Sequence, residues 1–239
     1  MYNLSSPVLR RLRNYLAQFY RHTLRSYGIS SYAQEGEDII LLELFRHRPT
    51  GFYVDIGAYH PRRFSNTYRF YRRGWRGINI DATPDSMRVF QRVRPRDINL
   101  EIAVSNNPAD LTYYTFSEGA LNTFDHELAQ TRAQGLPIKA EIRVRAYRLA
   151  DILEQHLPAQ QAIDFMSVDV EGFDLDVLQS NDWQLYRPTC LLVESLDRGV
   201  RPGEPTPIGD FLAQQGYELI AHTLRTGIFQ DERAKVFER

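Results

Sequence analysis

The chain has 239 residues, of which 43% are hydrophobic and 25% are charged, and its net charge is -1. This composition is typical of a globular protein, and the balanced charge gives no ground for expecting nucleic acid as a partner. No apolar run reaches the roughly 18 residues of a membrane span, and the N-terminus lacks the apolar core of a signal peptide, so we expect a cytoplasmic protein.

The first predicted element is a basic amphipathic helix over residues 8–27. Val8, Leu12 and Leu16 recur at four-residue steps, while arginines occupy the other side. Such a helix either docks on the following domain or attaches the protein peripherally to an anionic membrane surface or a partner protein. We therefore divide the chain into a helical extension, residues 1–30, and one α/β domain, residues 31–239.

From residue 31 onward, helical and strand patterns alternate. Periodicity predicts helices over 34–46, 65–72, 84–93, 149–156, 174–178 and 208–215. It predicts strands over 51–56, 75–81, 99–104, 111–116, 142–145, 163–168, 190–193, 217–221 and 227–229. The run 142–145 alternates in polarity, which indicates an exposed or edge strand. Repeated β-α-β units with buried apolar strands predict a parallel sheet with helices on both faces.

Acidic residues stand at the ends of several predicted strands. Asp55 and Asp81 close the first two strands, Asp169 and Glu171 follow the run 163–168, and Glu194 follows the run 190–193. A carboxylate at the tip of a buried strand is costly to desolvate unless a ligand, a metal or a hydrogen-bond donor meets it. Because ligands of open α/β sheets bind beyond the carboxyl ends of the strands, we expect these acids to line one crevice.

The loop after the first strand indicates which kind of ligand this crevice takes. Gly57 permits close approach of a ligand to the backbone, and Asp81 can accept hydrogen bonds from both hydroxyls of a ribose. A dinucleotide site needs a loop with three glycines to hold two phosphates, whereas residues 57–62 contain one glycine and Pro61. A cofactor with a ribose but no pyrophosphate fits better, and S-adenosylmethionine is such a molecule.

Several short blocks, taken together in their order and spacing, resemble one family. They are Gln34-Glu35-Gly36-Glu37-Asp38, the run GFYVDIG at 51–57, Ser65-Asn66-Thr67, Gly74-Trp75-Arg76-Gly77, Ile80-Asp81-Ala82 and the IDF…DVEG block within 163–172. Over about residues 32–194 the chain resembles the FkbM family of S-adenosylmethionine-dependent methyltransferases. Ala33 stands where the family has serine, and Asn122 departs from its L-S-T element.

The resemblance implies a class I methyltransferase fold, which is a Rossmann-like three-layer sandwich with a seven-stranded, mostly parallel sheet whose last strand is antiparallel. It implies O-methylation of a sugar hydroxyl in a glycan, glycolipid or nucleotide-linked sugar, as in polysaccharide biosynthesis. Two alternatives stay open: a hydroxyl of a secondary metabolite as the acceptor, and a non-catalytic binding module. The expected cofactor-binding residues are Gln34, Glu35, Asp55, Gly57, Ala58, Tyr59, Asn66, Asp81 and Ala82.

Methyl transfer to a hydroxyl also needs a base, and three residues are candidates. Asp169 is the first choice because it ends the strand nearest the expected methyl group; the alternative is that it orients the substrate or cofactor. His60 is second because its ordinary pKa suits proton abstraction near neutrality, although a loop histidine can equally bond to backbone. Glu171 is the third candidate.

The acids of the expected site could also gather a cation. Asp169, Glu171 and Glu194 could together bind Mg²⁺ or Ca²⁺ and lower the pKa of the acceptor hydroxyl. The alternative is that Glu171 and Glu194 pair with arginines, of which the chain has many. The sequence indicates neither the acceptor nor the oligomeric state.

Overall fold

A computed structural model describes residues 11, 13–16, 18, 28–195 and 205–234. The chain separates into two compact units, residues 1–30 and residues 31–239. In the first unit the described residues 11, 13–16 and 18 are helical and exposed. Most of the predicted basic helix over 8–27 lies outside the described residues. Within the described part of the chain, none of the helices has both the length and the hydropathy that a bilayer crossing requires.

The second unit alternates strands and helices, as the sequence predicts. In chain order its strands are β1 Phe52–Ile56, β2 Arg76–Asp81, β3 Ile98–Glu101, β4 Ala103–Val104, β5 Asp110–Thr115, β6 Ala140–Tyr147, β7 Phe165–Val168, β8 Cys190–Glu194, β9 Tyr217–His222 and β10 Thr226–Asp231. Its helices are α1 Glu37–Leu44, α2 Tyr68–Arg72, α3 Ser86–Val93, α4 His126–Ala133, α5 Leu149–His156, α6 Asp174–Gln179 and α7 Pro207–Gln214.

Seven strands form one sheet in the order β3-β2-β1-β7-β8-β10-β9. The pairs β1–β2, β2–β3, β1–β7 and β7–β8 are parallel, and β10 runs antiparallel to both β8 and β9. This is the mostly parallel seven-stranded sheet, with an antiparallel last strand, that the family resemblance implies. The carboxyl ends of β1, β2, β7 and β8 therefore meet at one edge.

Helices cover both faces of this sheet because its central strands are apolar on both sides. In β1, Tyr53 packs on one face in a cluster with Trp75 and Phe165, and Val54 packs on the other face with Ile78 and other aliphatic side chains. Successive strand residues point to opposite faces, so an unbroken apolar run needs a covering layer on each face of the sheet. The result is the predicted three-layer sandwich.

A second, smaller sheet was not predicted. The run 99–104 divides at Ile102, so that β3 joins the large sheet while β4 pairs with β6 in a sheet of order β4-β6-β5. β6 lies in the middle of this sheet, so 142–145 belongs to an exposed strand, one of the two possibilities expected for it, and not to an edge strand. Its alternating polarity arises because one face of the small sheet is exposed, as Glu141, Arg143 and Arg145 show.

Candidate active site

An open cleft lies at the sheet edge where the strands β1, β2 and β7 end. The space within it, including the part open to solvent, is about 730 Å³, and its described lining includes Gly57, Asp81, Ala82 and Asp169. Apolar and aromatic side chains form much of the remaining wall, among them Ile80, Ile102, Tyr113 and Phe124. A cleft with apolar walls and a few convergent polar groups is the usual form of a small-molecule site.

Gly57 brings two strand ends into direct contact. Its φ is +76°, and a Cβ at this position would lie 1.7 Å from the carbonyl oxygen of Asp169. The nitrogen of Gly57 donates to the carbonyl of Ile80, and the nitrogen of Asp169 donates to that of Ile56. Glycine is therefore required because the backbone of the β7 loop packs on it, in addition to any approach of a ligand.

Asp81 ends β2 with its carboxylate at the cleft. Its Oδ2 accepts from the nitrogen of Tyr59 at 2.8 Å, and its Oδ1 accepts from the nitrogen of Thr83 at 2.7 Å. Burial raises the pKa of Asp81, while these hydrogen bonds favour the ionised form. The side-chain hydroxyls of Thr83 and Ser86 also lie near this carboxylate and favour its ionised form.

Asp55 and Ala58 do not line the cleft. The Oδ2 of Asp55 accepts from Thr67 Oγ1 at 2.5 Å, and burial raises the pKa of Asp55 while the nearby guanidinium of Arg94 lowers it. Ala58 packs in a small buried cluster with Met87. We expected both residues to contact the cofactor directly, and both are buried.

Arg94 anchors a buried polar network that sequence reasoning missed. Its side chain is fully buried, its Nε donates to Asp97 Oδ2 at 2.9 Å, and its terminal nitrogen donates to Tyr53 and Thr67, each at 2.9 Å. Asp55 reaches this network through Thr67. Nothing in the sequence around Arg94 distinguishes it from the many exposed arginines.

His60 does not reach the cleft either. Its Nδ1 accepts from the backbone nitrogens of Arg62 at 3.1 Å and Arg63 at 3.0 Å. Burial and the two neighbouring arginine charges lower the pKa of His60. The structure thus places His60 as the loop histidine bonded to backbone, which was the alternative to a base.

Tyr59 and Arg63 connect the β1 loop to the far side of the cleft. The hydroxyl of Tyr59 donates to Glu118 Oε1 at 2.7 Å, and the guanidinium of Arg63 contacts both oxygens of Glu118 at 3.2 to 3.3 Å. The ring of Tyr59 lines the cleft, as does Gly119 beside Glu118. These contacts join the loop after β1 to the segment around Glu118 at the edge of the cleft.

Asp169, Glu171 and Glu194 lie together, as predicted. Each offers a carboxylate oxygen, and these atoms all lie within 4.8 Å of one another. β7 and β8 pair in parallel with Val168 opposite Val193, so Asp169 and Glu194 follow at the same level. Burial, then the charges of Glu194 and Glu171, raise the pKa of Asp169 well above its ordinary value.

The three acids differ in their partners. Glu171 pairs with Arg132, and its backbone has a φ of +54°. Burial and the charge of Glu171 raise the pKa of Glu194 to about 7. The Oε2 atom of Glu194 is buried and has no hydrogen-bond partner among the described residues. The carboxyl groups of Glu194 and Asp169 are close enough to share a hydrogen bond, which raises the pKa of Asp169.

A second, much smaller cavity adjoins the cleft, and the remaining predicted residues line it. Gln34 lines both cavities, whereas Glu35 and Asn66 line the second one alone. Glu35 accepts from the nitrogen of Arg225 at 3.0 Å, and Asn66 donates to Ser167 Oγ at 3.0 Å.

Several lining residues carried no signal in the sequence. Phe64, Tyr113 and Phe124 are single aromatics in loops or in the small sheet, and Arg225 lies in the turn between β9 and β10. Glu37 belongs to a block already noted, but its burial and its bond from Thr226 at 3.2 Å come from the distant β10. Only the folded chain brings these residues together.

The sheet order and the cleft at its carboxyl edge, lined by Asp81 and Gly57, are those of the class I methyltransferase fold. The family model described as methyltransferase FkbM domain matches residues 55–219, which is more than half of the chain. The protein therefore belongs to the FkbM family of S-adenosylmethionine-dependent methyltransferases. No curated protein sequence matches the chain.

Solved structures similar to this chain include other methyltransferases. One is the Burkholderia thailandensis 1,6-didemethyltoxoflavin-N1-methyltransferase with bound 1,6-didemethyltoxoflavin and S-adenosylhomocysteine, at 13% identity over 97% of this chain and 92% of that chain, with a TM-score of 0.39. Another is an O-methyltransferase from Bacillus cereus in complex with S-adenosylhomocysteine, at 12% identity, 92% and 89% coverage and a TM-score of 0.43. A third, the METTL16 methyltransferase domain, has 12% identity, 97% and 82% coverage and a TM-score of 0.47.

Proposed function

We propose that the protein transfers a methyl group from S-adenosylmethionine to a hydroxyl of a sugar, in a glycan, a glycolipid or a nucleotide-linked sugar. The observation that carries this proposal is the position of Asp169. Its carboxylate lies at the end of β7 beside Glu194, and it lines both the cleft and the adjoining cavity. A carboxylate with a raised pKa, placed where two cavities meet, suits a base between donor and acceptor.

The cleft residues fit the cofactor. Asp81 would hold the ribose hydroxyls, next to Ala82 and Tyr59. The apolar walls at Ile102 and Phe124 suit an adenine ring. Gln34 would meet the amino-acid end, close to Gly57. When bound, S-adenosylmethionine supplies the methyl group as a substituent of a sulfonium.

The acids favour oxygen over nitrogen as the accepting atom. A hydroxyl must lose its proton as the new bond forms, and Asp169 would accept that proton. A neutral amine attacks with its free lone pair and needs no such base at that moment. Burial and like charge raise the pKa of Asp169 and so make its ionised form the stronger base.

The direct test is release of S-adenosylhomocysteine with a panel of sugar acceptors. Asp169→Asn should lower the rate by about 10² to 10⁴, the usual contribution of a general base, and leave cofactor affinity nearly unchanged. Calorimetric titration with S-adenosylmethionine is the control. Full activity in the variant would remove Asp169 as the base and leave it an orienting role.

Asp81→Ala should instead weaken binding of the cofactor. The loss of hydrogen bonds to a charged group predicts about 1 to 3 kcal/mol, measured by the same titration. If the wild-type protein bound no S-adenosylmethionine, it would be a non-catalytic module. Turnover of a non-sugar hydroxyl alone would favour a secondary metabolite as the acceptor.

The same assay decides whether a divalent cation takes part. Asp169, Glu171 and Glu194 have the chemistry and the mutual spacing of a Mg²⁺ or Ca²⁺ site, although Arg132 already neutralises Glu171. A cation requirement predicts loss of turnover with a chelator and recovery with added Mg²⁺ or Ca²⁺. Equal rates with and without chelator would exclude it.

A further inference from the structure

Arginine dominates the stretch of chain that connects the first two strands of the large sheet. Between Asp55 and Asp81 the sequence has no acidic residue, and it has six arginines, Arg62, Arg63, Arg69, Arg72, Arg73 and Arg76. All of them except Arg69 are exposed. Because the whole chain has a net charge of -1, this excess of positive charge is local, and it produces a positive surface potential around α2.

Three tyrosines join several of these arginines in one continuous surface. The rings of Tyr32 and Tyr68 lie 4.8 Å apart, and those of Tyr68 and Tyr71 lie 6.3 Å apart. Each ring carries an exposed arginine whose guanidinium carbon lies 4.0 to 6.0 Å from the ring centre: Arg72 on Tyr32, Arg62 on Tyr68 and Arg96 on Tyr71. We call Arg62, Arg72, Arg96 and the adjacent Arg73 the basic surface.

The acids that lie near this surface are already neutralised. Asp38 accepts from Arg69 at 2.9 Å, and Asp97 accepts from Arg94 at 2.9 Å. The side chains of both acids are fully buried. Among the described residues, the four arginines of the basic surface form no ion pair with an acid. Their charge is therefore available to a partner from outside.

The chemistry of the basic surface favours phosphate groups of lipids as this partner. A guanidinium stacked on an aromatic ring keeps N–H groups in its own plane, which can bind phosphate oxygens. Single-stranded nucleic acid would also need open aromatic faces on which its bases stack, and here arginines lie on the three rings. The isoelectric point of about 6.6 also differs from the basic values that are typical of nucleic-acid-binding domains.

We propose that the basic surface attaches the protein peripherally to a membrane of anionic phospholipids. The attractive force is electrostatic and is therefore weakened by salt. Arg62 follows Tyr59, which lines the cleft, by three residues, and three residues span at most about 11 Å. An attached molecule thus holds this edge of its cleft near the lipid. The attachment itself does not depend on the proposed methyl transfer.

The experiment uses the full chain and compares two double variants. Arg72→Gln with Arg73→Gln removes two charges from the basic surface. Arg143→Gln with Arg145→Gln is the matched control, because it removes two charges from exposed positions on β6. Co-sedimentation is measured with vesicles of phosphatidylcholine alone and with vesicles of equimolar phosphatidylcholine and phosphatidylglycerol. Thermal unfolding followed by circular dichroism verifies that each variant is folded.

We expect the wild-type protein to bind the anionic vesicles, to bind the neutral ones far less, and to dissociate as salt is raised. Each arginine near an anionic surface contributes about fivefold in binding, so the Arg72 and Arg73 double variant should bind about 25-fold more weakly. The control should stay near wild type.

Three results would overturn the inference. The wild-type protein could fail to bind anionic vesicles. The Arg72 and Arg73 double variant could bind them as wild type does, which would place the contact elsewhere, for example in the basic helix predicted over 8–27. A labelled oligonucleotide could bind more tightly than the vesicles and be lost in the same variant, which would make nucleic acid the partner. Titration with S-adenosylmethionine tests the proposed function separately.

Discussion

Gly57→Ala provides a test of how the site is assembled. The new Cβ would lie 1.7 Å from the carbonyl oxygen of Asp169, whereas ordinary contacts begin near 3.4 Å. The left-handed backbone costs an alanine about 1 to 2 kcal/mol, and the overlap adds about 1 to 3 kcal/mol, as over-packing does. We expect a loss of about 2 to 5 kcal/mol in the free energy of unfolding.

Gly74→Ala is the matched control. Gly74 has a φ of +97°, but a Cβ there would have no atom within 4 Å, so it should lose only the backbone contribution of about 1 to 2 kcal/mol. Urea denaturation of both variants gives the difference, and calorimetry gives cofactor affinity. Gly57→Ala could instead be as stable as Gly74→Ala and fail only to bind the cofactor. Glycine would then be required at position 57 because of the ligand, and not because of the contact with the backbone of Asp169.

The remaining predictions concern ionised groups. Turnover needs Asp169 ionised, and burial, followed by the like charge of Glu194, raises the pKa of Asp169 well above its ordinary value, so the rate should rise with pH. Glu194→Gln removes that charge and should shift the profile to lower pH; an unshifted profile would contradict the coupling. Arg94→Met leaves Asp55 and Asp97 without their buried cation and should cost about 3 to 5 kcal/mol of stability at neutral pH. Because acid protonates Asp55, the deficit in a denaturation series should shrink as pH falls, and a constant deficit would count against this explanation.

Most of the large sheet could be predicted because its strands are short apolar runs bounded by turn residues. The run 99–104 was the exception, since its pattern is continuous while the chain changes sheets at Ile102. The nitrogen of Ile102 donates to the carbonyl of Asp81, and beyond it β4 pairs with β6 in the smaller sheet. Periodicity reports which faces are buried, and it carries no information about which sheet a strand joins.

The site was predictable where a residue acts at a strand tip and unpredictable where its partners come from distant parts of the chain. Asp81, Asp169 and Glu194 follow from their places after apolar runs. Phe64 and Arg225 do not, since a single aromatic or arginine in a loop has many roles. His60 was misleading for the same reason, because the groups that its Nδ1 meets are set by the loop conformation.

Strand register explains why two similar acids differ in role. Asp55 lies level with Asn79 in the pairing of β1 and β2, so Asp81 stands two residues further toward the carboxyl edge. At the level of Asp55 the sheet is covered, so the partners of this carboxylate are buried. It accepts a hydrogen bond from Thr67 and interacts with the charge of Arg94. At the level of Asp81 the covering ends and the cleft begins. Whether an acid in such a sheet contacts a ligand thus depends on how far it lies toward the carboxyl edge in the strand pairing. The position of the acid within its own strand does not give this information.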